Sequence, residues 1–179
     1  MKIAIIGAGR QAEFVVDVAQ DLGYEVTGLY DDRYPEVGEA AGVPVRGPLS
    51  AIGAAPTTDF AIGIADPRVR QRLWHLLSAQ GKRLPALVHP SAVVSQRAAI
   101  GAGAFVGALC TVLAGSSVGT AACLMSTVNV NQNVSVGDFA LIGAGVVIGN
   151  DAVIGEGCHI AMGARIARLG STPPWQDVG

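Results

Sequence analysis

Residues 134–166 read VSVGDFALIGAGVVIGNDAVIGEGCHIAMGARI and place an aliphatic side chain at every sixth position. Followed in both directions, the same spacing runs without an insertion through fourteen aliphatic residues. These are Val88, Val94, Ile100, Val106, Val112, Val118, Leu124, Val130, Val136, Ile142, Ile148, Ile154, Ile160 and Ile166. A short fixed period sustained over a long stretch is typical of a repeat architecture in which each unit packs on its neighbours. The second half of the chain is therefore predicted to be one continuous coil of short β-strands.

Two further registers accompany the aliphatic one. The residue four positions after it is small or β-branched, and the residue directly after it is often glycine. The glycines are Gly101, Gly107, Gly119, Gly137, Gly143, Gly149 and Gly155. We interpret each hexad as a flat strand and a corner, with the small residue inward and the glycine supplying the positive φ of a tight turn. Three hexads make a triangular coil, so that residues 18 apart stack about 4.8 Å from one another.

The first half alternates between strand and helix patterns. The stretch KIAIIG is typical of a buried strand, and GAGRQAEFVVDVAQDLG predicts a glycine turn followed by a helix. Helical spacing predicts a buried face that carries Phe14, Val15, Val18 and Leu22. Further strands are predicted at 25–30 and 58–64. The second of these leads to Asp66, suited to a helix N-cap, and Pro67, suited to the first helical position.

This alternation indicates a small parallel sheet of Rossmann type. The fold class expected is an α/β N-terminal Rossmann-like domain followed by an all-β C-terminal parallel β-helix. We place the Rossmann-like domain at 1–85, the β-helix at 86–170 and a C-terminal tail at 171–179.

Composition restricts the functional classes. The net charge of −2 provides no basic surface for nucleic acid. No apolar run approaches the roughly 20 residues needed to span a bilayer, and the apolar start reads as a first strand rather than a signal peptide. Cys110, Cys123 and Cys158 have no CxxC spacing and are expected to be free thiols in a reducing cytoplasm.

The turn after the first strand allows two interpretations. It contains Gly7 and Gly9 but lacks the third glycine of GxGxxG, because position 12 is alanine. The glycines could serve only tight packing. Alternatively, the helix N-terminus binds a phosphate or ribose, with Asp31 and Asp32 at the tip of the next strand.

The two halves in this order resemble the bacterial sugar-nucleotide N-acetyltransferases and sialic acid O-acetyltransferase-like proteins. The matching stretches are IIGAGRQAEFVVDVA, GLYDD, IADPRVR, VHPSAVVS and VGDFALIGAGVVIGNDAVIGEG. The resemblance implies that the coil is left-handed, against the usual crossover rule. It also implies an N-terminal domain that binds a sugar nucleotide, a β-helix that binds acetyl-CoA, and a homotrimer with active sites between neighbouring prisms.

The chain departs from the family at the residues that carry the chemistry. Gln132, followed by Asn133, stands at the position of the family's catalytic histidine, and Leu141 stands at that of a second family histidine. Arg10 and Gln11 replace the Gly-His of the family's glycine turn. By the resemblance, the sugar nucleotide would be bound by Gly7, Gly9, Arg10, Gln11, Asp31, Asp32 and Asp66. The chain also ends without the family's last segment.

A carboxamide has no basic site near neutral pH, so Gln132 cannot act as the general base. Gln132 and Asn133 could instead orient an amine that is partly neutral. His159, 18 residues after Leu141, could be a relocated acid or base. Asn150, one coil above Gln132, could supply the backbone N–H that polarises the acyl carbonyl. The residues expected to bind acyl-CoA are Gly143, Asn150 and Ala161.

Several alternatives stay open. The amides of Asn129, Asn131, Gln132 and Asn133 could simply stack in a ladder, and His75, His89 and His159 could be structural or surface residues. Because these histidines share no metal-ligand spacing, no metal is expected. The leading hypothesis is an acyl-CoA-dependent acetyltransferase for a nucleotide-linked amino sugar, or a related amine or hydroxyl, diverged at its base. The alternatives are a non-catalytic trimeric sugar-nucleotide-binding homologue, and an enzyme of a different reaction on the same scaffold.

Overall fold

A computed structural model of the chain describes all 179 residues. The elements of the first half are β1 (Lys2–Ile6), α1 (Arg10–Asp21), β2 (Glu25–Tyr30), β3 (Glu39–Ala40), β4 (Val43–Gly47), a 3₁₀ helix (Leu49–Ala54), β5 (Phe60–Ile62) and α2 (Pro67–Ala79). The two-residue strands of the second half are β6 (Leu87–Val88), β7 (Val93–Val94), β8 (Ala99–Ile100), β9 (Phe105–Val106), β10 (Thr111–Val112), β11 (Ser117–Val118), β12 (Cys123–Leu124), β13 (Asn129–Val130), β14 (Ser135–Val136), β15 (Leu141–Ile142), β16 (Val147–Ile148), β17 (Val153–Ile154), β18 (His159–Ile160), β19 (Arg165–Ile166), β20 (Ser171–Thr172) and β21 (Asp177–Val178). No helix is both long and apolar enough to cross a membrane.

The N-terminal sheet has the order β3-β4-β2-β1-β5. All its pairings are parallel except that of the edge strand β3. Helix α1 packs on one face of the sheet, and α2 with the 3₁₀ helix packs on the other. The predicted α/β domain is thus confirmed, while β3, β4 and the 3₁₀ helix were not anticipated from the sequence.

The buried face of α1 contains three of the four predicted residues: Val15 and Val18 are buried, and Leu22 packs against the same core. Phe14 is 47% exposed, and the fully buried positions are Ala12, Val15, Val16 and Ala19, which follow the i, i+3, i+4, i+7 spacing. A Cβ on Gly63 would lie 2.7 Å from the Cα of Ala12. The helix therefore packs closely on the sheet at Ala12, while Phe14 lies at the edge of this contact and lines a groove beside the β-helix.

The second half forms three parallel sheets around one core, which confirms the predicted β-helix. Sheet 1 contains β7, β10, β13, β16 and β19; sheet 2 contains β8, β11, β14, β17 and β20; sheet 3 contains β6, β9, β12, β15, β18 and β21. Paired residues are 18 apart, as in Leu124 with Ile142. The aliphatic residues and the small residues four positions later share the core. The N-terminal domain packs on sheet 3, where Leu87, Phe105 and Cys123 join the core beneath α1.

The turns join the sheets at three corners. Corner A, between sheets 1 and 2, consists of the turns 95–98, 113–116, 131–134, 149–152 and 167–170. Corner B, between sheets 2 and 3, consists of 101–104, 119–122, 137–140, 155–158 and 173–176. Corner C, between sheets 3 and 1, consists of 89–92, 107–110, 125–128, 143–146 and 161–164.

The role predicted for the hexad glycines was wrong. Positive φ angles occur two residues later, and non-glycine residues such as Asn133 (57°) and Asp151 (61°) adopt them. The hexad glycines serve close approach between coils instead. A Cβ on Gly137 would lie 2.6 Å from the backbone nitrogen of Glu156, and one on Gly149 would lie 2.6 Å from that of Arg168.

Residues 171–179 also differ from the expected tail, because they continue the β-helix. Strand β20 pairs with β17, and β21 pairs with β18. Thr172 and Val178 extend the period of six. The threonine was outside the aliphatic pattern, but its hydroxyl accepts a hydrogen bond from the Gly155 N–H at 3.0 Å, which satisfies it near the core.

Candidate functional site

A cleft of about 520 Å³ opens where β1, β2 and β5 end. Its lining residues are Gly7, Gly9, Arg10, Gln11, Asp31, Arg33, Gly63, Ile64, Ala65 and Val69. The carboxyl ends of parallel strands are where open α/β sheets bind ligands. Five of the residues predicted to bind substrate therefore lie together. Among them, Gly7 has a φ of 104°, and a Cβ there would lie 2.8 Å from the Gly63 carbonyl oxygen, so both the turn and the space require glycine.

Asp31 lines the cleft, but its carboxylate already has several donors. It accepts hydrogen bonds from the Ala8 N–H (2.8 Å), the Arg33 N–H (2.9 Å), and the Nε and Nη2 groups of Arg33 (2.9 and 2.8 Å). The Arg33 guanidinium is the main reason that the pKa of Asp31 is lowered to about 2. Asp31 is therefore charged and occupied, so Arg33 is the group of this pair that a ligand meets.

The cleft presents two cations and a helix N-terminus. Arg33, which sequence reasoning missed, has a half-exposed side chain, and its Nη2 lies 4.0 Å from the Cβ position of Gly9. Arg10 begins α1, and the Gly9 N-cap supplies no side-chain hydrogen bond to the first turn. The free N–H groups and the helix dipole favour an anion at this point. The Asp-x-Arg spacing after a strand was the only sequence signal for Arg33.

Gln11 connects the cleft to the β-helix, because its Nε2 donates to the Cys123 Sγ at 3.5 Å. Burial raises the pKa of the Cys123 thiol to about 11, so the sulfur is not a nucleophile. Cys110 and Cys158 are also buried, in the core of the β-helix.

Asp32 and Asp66 do not line the cleft. The Asp32 carboxylate accepts a hydrogen bond from the Leu49 N–H at 2.9 Å, which fixes the start of the 3₁₀ helix. Asp66 caps α2, as the sequence predicted, and accepts from the N–H groups of Arg68 (2.8 Å) and Val69 (3.0 Å). Both aspartates have structural hydrogen bonds that account for their positions.

Gln132 and Asn133 line a second groove, of about 300 Å³, at corner A. Its other lining residues are Arg97, Ala114 and Gly115. The Asn133 Nδ2 donates to the Asp151 carboxylate at 3.1 Å, while a Cβ on Gly115 would lie 2.3 Å from the Asn133 Oδ1. The side-chain amide of Asn133 is therefore held in place, whereas the side-chain amide of Gln132 makes no intramolecular hydrogen bond and is free for a ligand.

Asn150 stacks one coil above Gln132, as the 18-residue period predicted. Its Oδ1 accepts the Gln132 backbone N–H at 3.3 Å, and its own backbone N–H has no intramolecular acceptor. A ladder of amides does not extend to Asn129, whose neighbours in sheet 1 are Thr111 and Val147. The Asn129 Oδ1 is buried without a donor, as is the Thr111 Oγ1.

Within one chain, His159 does not join Gln132. It stacks on Leu141 in sheet 3, where its Nδ1 lies 3.3 Å from the Asp177 carboxylate. Sheet 3 is the side of the triangular coil opposite corner A, so the two residues face different directions. Gly143 and Ala161 lie at corner C, and Asn150 lies at corner A. The residues predicted to bind acyl-CoA thus flank sheet 1 rather than forming one cluster.

A third groove, of about 390 Å³, runs between α1 and corner C, and we call it the α1 groove. Phe14, Asp17, Asp21, His89, Phe105, Gly107, Ala108 and Ser126 are among its lining residues. The His89 Nε2 lies 3.1 Å from the Asp21 carboxylate and ties the β-helix to α1. No group of three or more His, Cys, Asp and Glu side chains is arranged to hold a metal ion.

Two family models match the chain. The N-terminal domain matches the PglD N-terminal domain over residues 2–77, and the β-helix matches the bacterial transferase hexapeptide family (six repeats) over residues 133–168. No curated protein matches the chain.

Solved structures match nearly the whole chain. A mutant of perosamine N-acetyltransferase from Caulobacter crescentus, in complex with CoA and GDP-perosamine, is 25% identical, and the match covers 99% of this chain and 91% of that one with a TM-score of 0.83. The acetyltransferase domain of PglB from Neisseria gonorrhoeae FA1090, in complex with acetyl coenzyme A, is 28% identical over 98% of this chain and 94% of that one, with a TM-score of 0.80. WeeI from Acinetobacter baumannii AYE shares the fold at 20% identity, over 100% of this chain and 97% of that one, with a TM-score of 0.79.

These matches confirm the resemblance to the bacterial sugar N-acetyltransferases. Together with the parallel sheets, the hexapeptide repeats define the second half as a left-handed β-helix that follows an α/β domain.

Proposed function

We propose that this chain is an acyl-CoA-dependent acetyltransferase that acts on a nucleotide-linked amino sugar. One observation carries the proposal: the chain joins a cationic cleft to a hexapeptide β-helix, and a structure that matches 99% of the chain was solved with CoA and GDP-perosamine bound. Such an enzyme would act in the cytoplasm, where acetyl-CoA is available.

The cleft is the proposed sugar-nucleotide site of a Rossmann-like domain. Arg10 and Arg33 would contact the diphosphate, and the first turn of α1 would donate N–H groups to it. Gly7 and Gly9 would allow its close approach. Asp31 would act indirectly, by holding the Arg33 guanidinium with its carboxylate. Asp32 and Asp66 would support the loops around the cleft.

We further propose that the active site is completed by a neighbouring copy in a homotrimer. The outer face of sheet 1 exposes Val93, and corner C beside it exposes Leu109 and Met162. The outer face of sheet 2 exposes Val153, and Leu169 lies at corner A, between the two sheets. The orphaned atoms of Thr111 and Asn129 also lie on sheet 1. A surface with these features favours contact with another copy.

The levels of the grooves support the same arrangement. The groove at Gln132 spans three coils, through Arg97, Ala114 and Gln132, and the α1 groove spans the same three, through His89, Ala108 and Ser126. If the threefold axis runs parallel to the prism, equal coils of neighbouring copies lie at equal heights. Corner A of one copy would then face the α1 groove of the next, and acyl-CoA would lie between them near Gly143, Asn150 and Ala161.

The chemistry would proceed without a histidine at position 132. The neutral amine of the sugar attacks the thioester carbonyl carbon, the C–S bond breaks, and the thiolate of CoA takes up the proton that the amine releases. Asn150 would polarise the carbonyl with its free N–H, and Gln132 would orient the amine. A missing general base costs about 10²–10⁴-fold in rate, but orientation alone contributes a large share of catalysis. His159 faces away from Gln132 within one chain, so it would serve as an alternative proton carrier only if a neighbouring copy supplied it.

A specific observation favours a second candidate, a non-catalytic sugar-nucleotide-binding protein. The groove at Gln132 contains Arg97, Ala114, Gly115, Gln132 and Asn133, and none of these side chains accepts a proton near neutral pH. Histidine-to-asparagine and histidine-to-alanine mutants of the Caulobacter relative were both solved with CoA and GDP-perosamine. In that protein, loss of a histidine is therefore compatible with binding of both ligands.

Thermal unfolding with separate ligands tests the proposal. A ligand at a hundredfold excess over its Kd stabilises the folded state by about 2.7 kcal/mol. We expect acetyl-CoA and GDP-perosamine each to raise the Tm. Stabilisation by the sugar nucleotide alone would favour the non-catalytic candidate, and stabilisation by neither ligand would contradict both.

A further inference from the structure

Arg70, on α2, is the only arginine of the chain that is buried, with 3% of its surface exposed. No carboxylate forms an ion pair with it. Its N–H groups face backbone carbonyls of both domains instead. A buried cation whose hydrogen bonds all go to backbone carbonyls, with no carboxylate in contact, is costly to fold, which points to a role beyond stability.

On the β-helix side, the guanidinium spans two coils at corner B. Its Nε donates to the Ala121 carbonyl at 3.0 Å, and its Nη2 donates to the carbonyls of Phe139 and Ala140, the latter at 3.0 Å. Ala121 and Phe139 are 18 residues apart, and both have a positive φ, at 48° and 59°. The hydrogen bonds of the arginine therefore depend on the backbone conformation of two stacked turns.

On the other side, the guanidinium holds the wall of the cleft. Its Nη1 donates to the carbonyls of Ile64, at 3.4 Å, and Ala65, and both residues line the cleft. The carbonyls of Ile64, Ala65, Ala121 and Phe139 accept no other hydrogen bond. The planar five-donor fork thus supplies the only hydrogen bonds that these four oxygens have.

We infer that Arg70 is a positioning residue, which fixes the cleft wall at 64–65 against the β-helix so that a bound nucleotide sugar meets the acyl donor in one orientation. The inference rests on the proposed function. The sugar is held by the N-terminal domain and the donor by the β-helix, so the rigidity of their junction sets the distance between the reacting atoms. A misplacement of about 1 Å can cost about 10²-fold in rate.

The variants Arg70→Lys and Arg70→Met test this role, with Arg72→Met as the matched control. Arg72 is on the same helix but exposed. Lysine keeps the charge but not the planar fork. We expect the Kd for GDP, measured by calorimetry, to stay within about threefold of the parent value. We expect kcat for acetyl transfer to fall by about 10–10²-fold in both Arg70 variants and to be unchanged in the control.

A lower Tm with an unchanged kcat in a folded Arg70 variant would overturn the inference, because the residue would then serve stability only. A parallel loss of GDP binding would also overturn it. If Arg70→Met does not fold, Arg70→Lys alone provides the comparison.

Amide hydrogen exchange separates this inference from the proposed function. We expect faster exchange in Arg70→Lys at residues 63–66, 119–122 and 137–140, and no change there in Arg72→Met. If the parent protein transfers no acetyl group, the proposed function fails, yet this exchange pattern would still support the junction. Unchanged exchange at these segments would contradict the inference whatever the activity.

Discussion

At the residue scale, the chemistry of the proposed site depends on what stands in place of a histidine. Gln132 has a free amide at corner A, beside an Asn133 that is fixed by Asp151. An amide can hold a nucleophile by hydrogen bonds but cannot take its proton. Gln132 is therefore suited to orient an amine substrate. Without a base at this position we expect acetyl transfer to be slow, and a new base there should accelerate it.

The Gln132→His variant tests this account. We expect the transfer rate to rise by up to about 10²-fold, near the lower end of what a positioned base contributes. The rise should follow an apparent pKa of roughly 6.5, because imidazole must be neutral to act as a base. Steady-state rates between pH 5.5 and 8 provide the measurement.

Gln96→His is its matched control, because Gln96 lies on the same corner two coils below and outside the groove. An equal gain in both variants would contradict a specific role for position 132. A fall in Gln132→His from measurable parental activity would assign Gln132 a role of its own.

Asp31 provides a second prediction at this scale, because its lowered pKa makes the free energy of unfolding depend on pH. A carboxylate with a depressed folded-state pKa contributes stability above its unfolded pKa of about 3.9 and loses that contribution as the pH falls toward 2. Since Arg33 is half exposed, solvent screening limits the effect. We expect Asp31→Asn to lower the free energy of unfolding by roughly 1–2 kcal/mol at pH 7.

Urea unfolding at pH 7, 4 and 3 checks the size and the sign of this effect. The difference between parent and variant should be largest at pH 7 and shrink at pH 3. A difference that grows with acidity would mean that Arg33 does not determine the pKa of Asp31.

At the element scale, the β-helix was predictable because its signal is periodic. Aliphatic residues every six positions specify strands and core wherever the coil continues. Only the last two strands, which begin at Ser171 and Asp177, lie beyond the aliphatic series that ends at Ile166. The structural role of the hexad glycines was not predictable, because a sequence pattern shows where glycine occurs but not which atoms of the next coil a side chain there would clash with. The exposure of Phe14 was missed for a related reason: its position satisfies helical spacing, yet α1 approaches the sheet most closely at Ala12, on another side of the helix.

Two glycines of the β-helix separate close approach from backbone conformation. Gly137→Ala places a Cβ 2.6 Å from a backbone nitrogen of the next coil, and we expect a loss of about 2–3 kcal/mol in the free energy of unfolding. The added Cβ of Gly163→Ala would have no atom within 4 Å, so this variant bears only the backbone strain of a φ of 73°, which costs about 1 kcal/mol. Chemical denaturation of both variants measures the difference, and equal losses would contradict the packing explanation.

At the scale of the whole molecule, the cleft was partly predictable and the junction was not. Gly7, Gly9, Arg10 and Gln11 lie in a local turn, so sequence proximity brought them together. The cleft-facing cation Arg33 lies outside that turn and had only the Asp-x-Arg spacing as a signal, because Asp31 holds its guanidinium. The interdomain Arg70 acts through contacts that no local pattern encodes. Arg70 bonds carbonyls 51 to 70 residues away as well as those beside its own helix.

The proposed trimer makes a prediction about two matched valines. Val93 is 64% exposed on sheet 1 and Val153 is 51% exposed on sheet 2. If sheet 1 faces the neighbouring copies, Val93→Glu buries like charges at the interface and should convert the trimer to monomers, while Val153→Glu should leave it intact. Light scattering at micromolar concentration distinguishes the states. Dissociation by Val153→Glu alone would assign the interface to sheet 2, and a monomeric parent would remove the shared site.

The most direct test of the central claim is a transfer assay with the unmodified protein. Acetyl-CoA is mixed with a panel of nucleotide amino sugars that includes GDP-perosamine, and the products are identified by mass spectrometry while released CoA is measured. We predict a sugar nucleotide that carries one added acetyl group, formed together with one free CoA and faster than without protein. Binding of both ligands with no acetylated sugar nucleotide from any member of the panel would contradict the claim and favour the non-catalytic homologue.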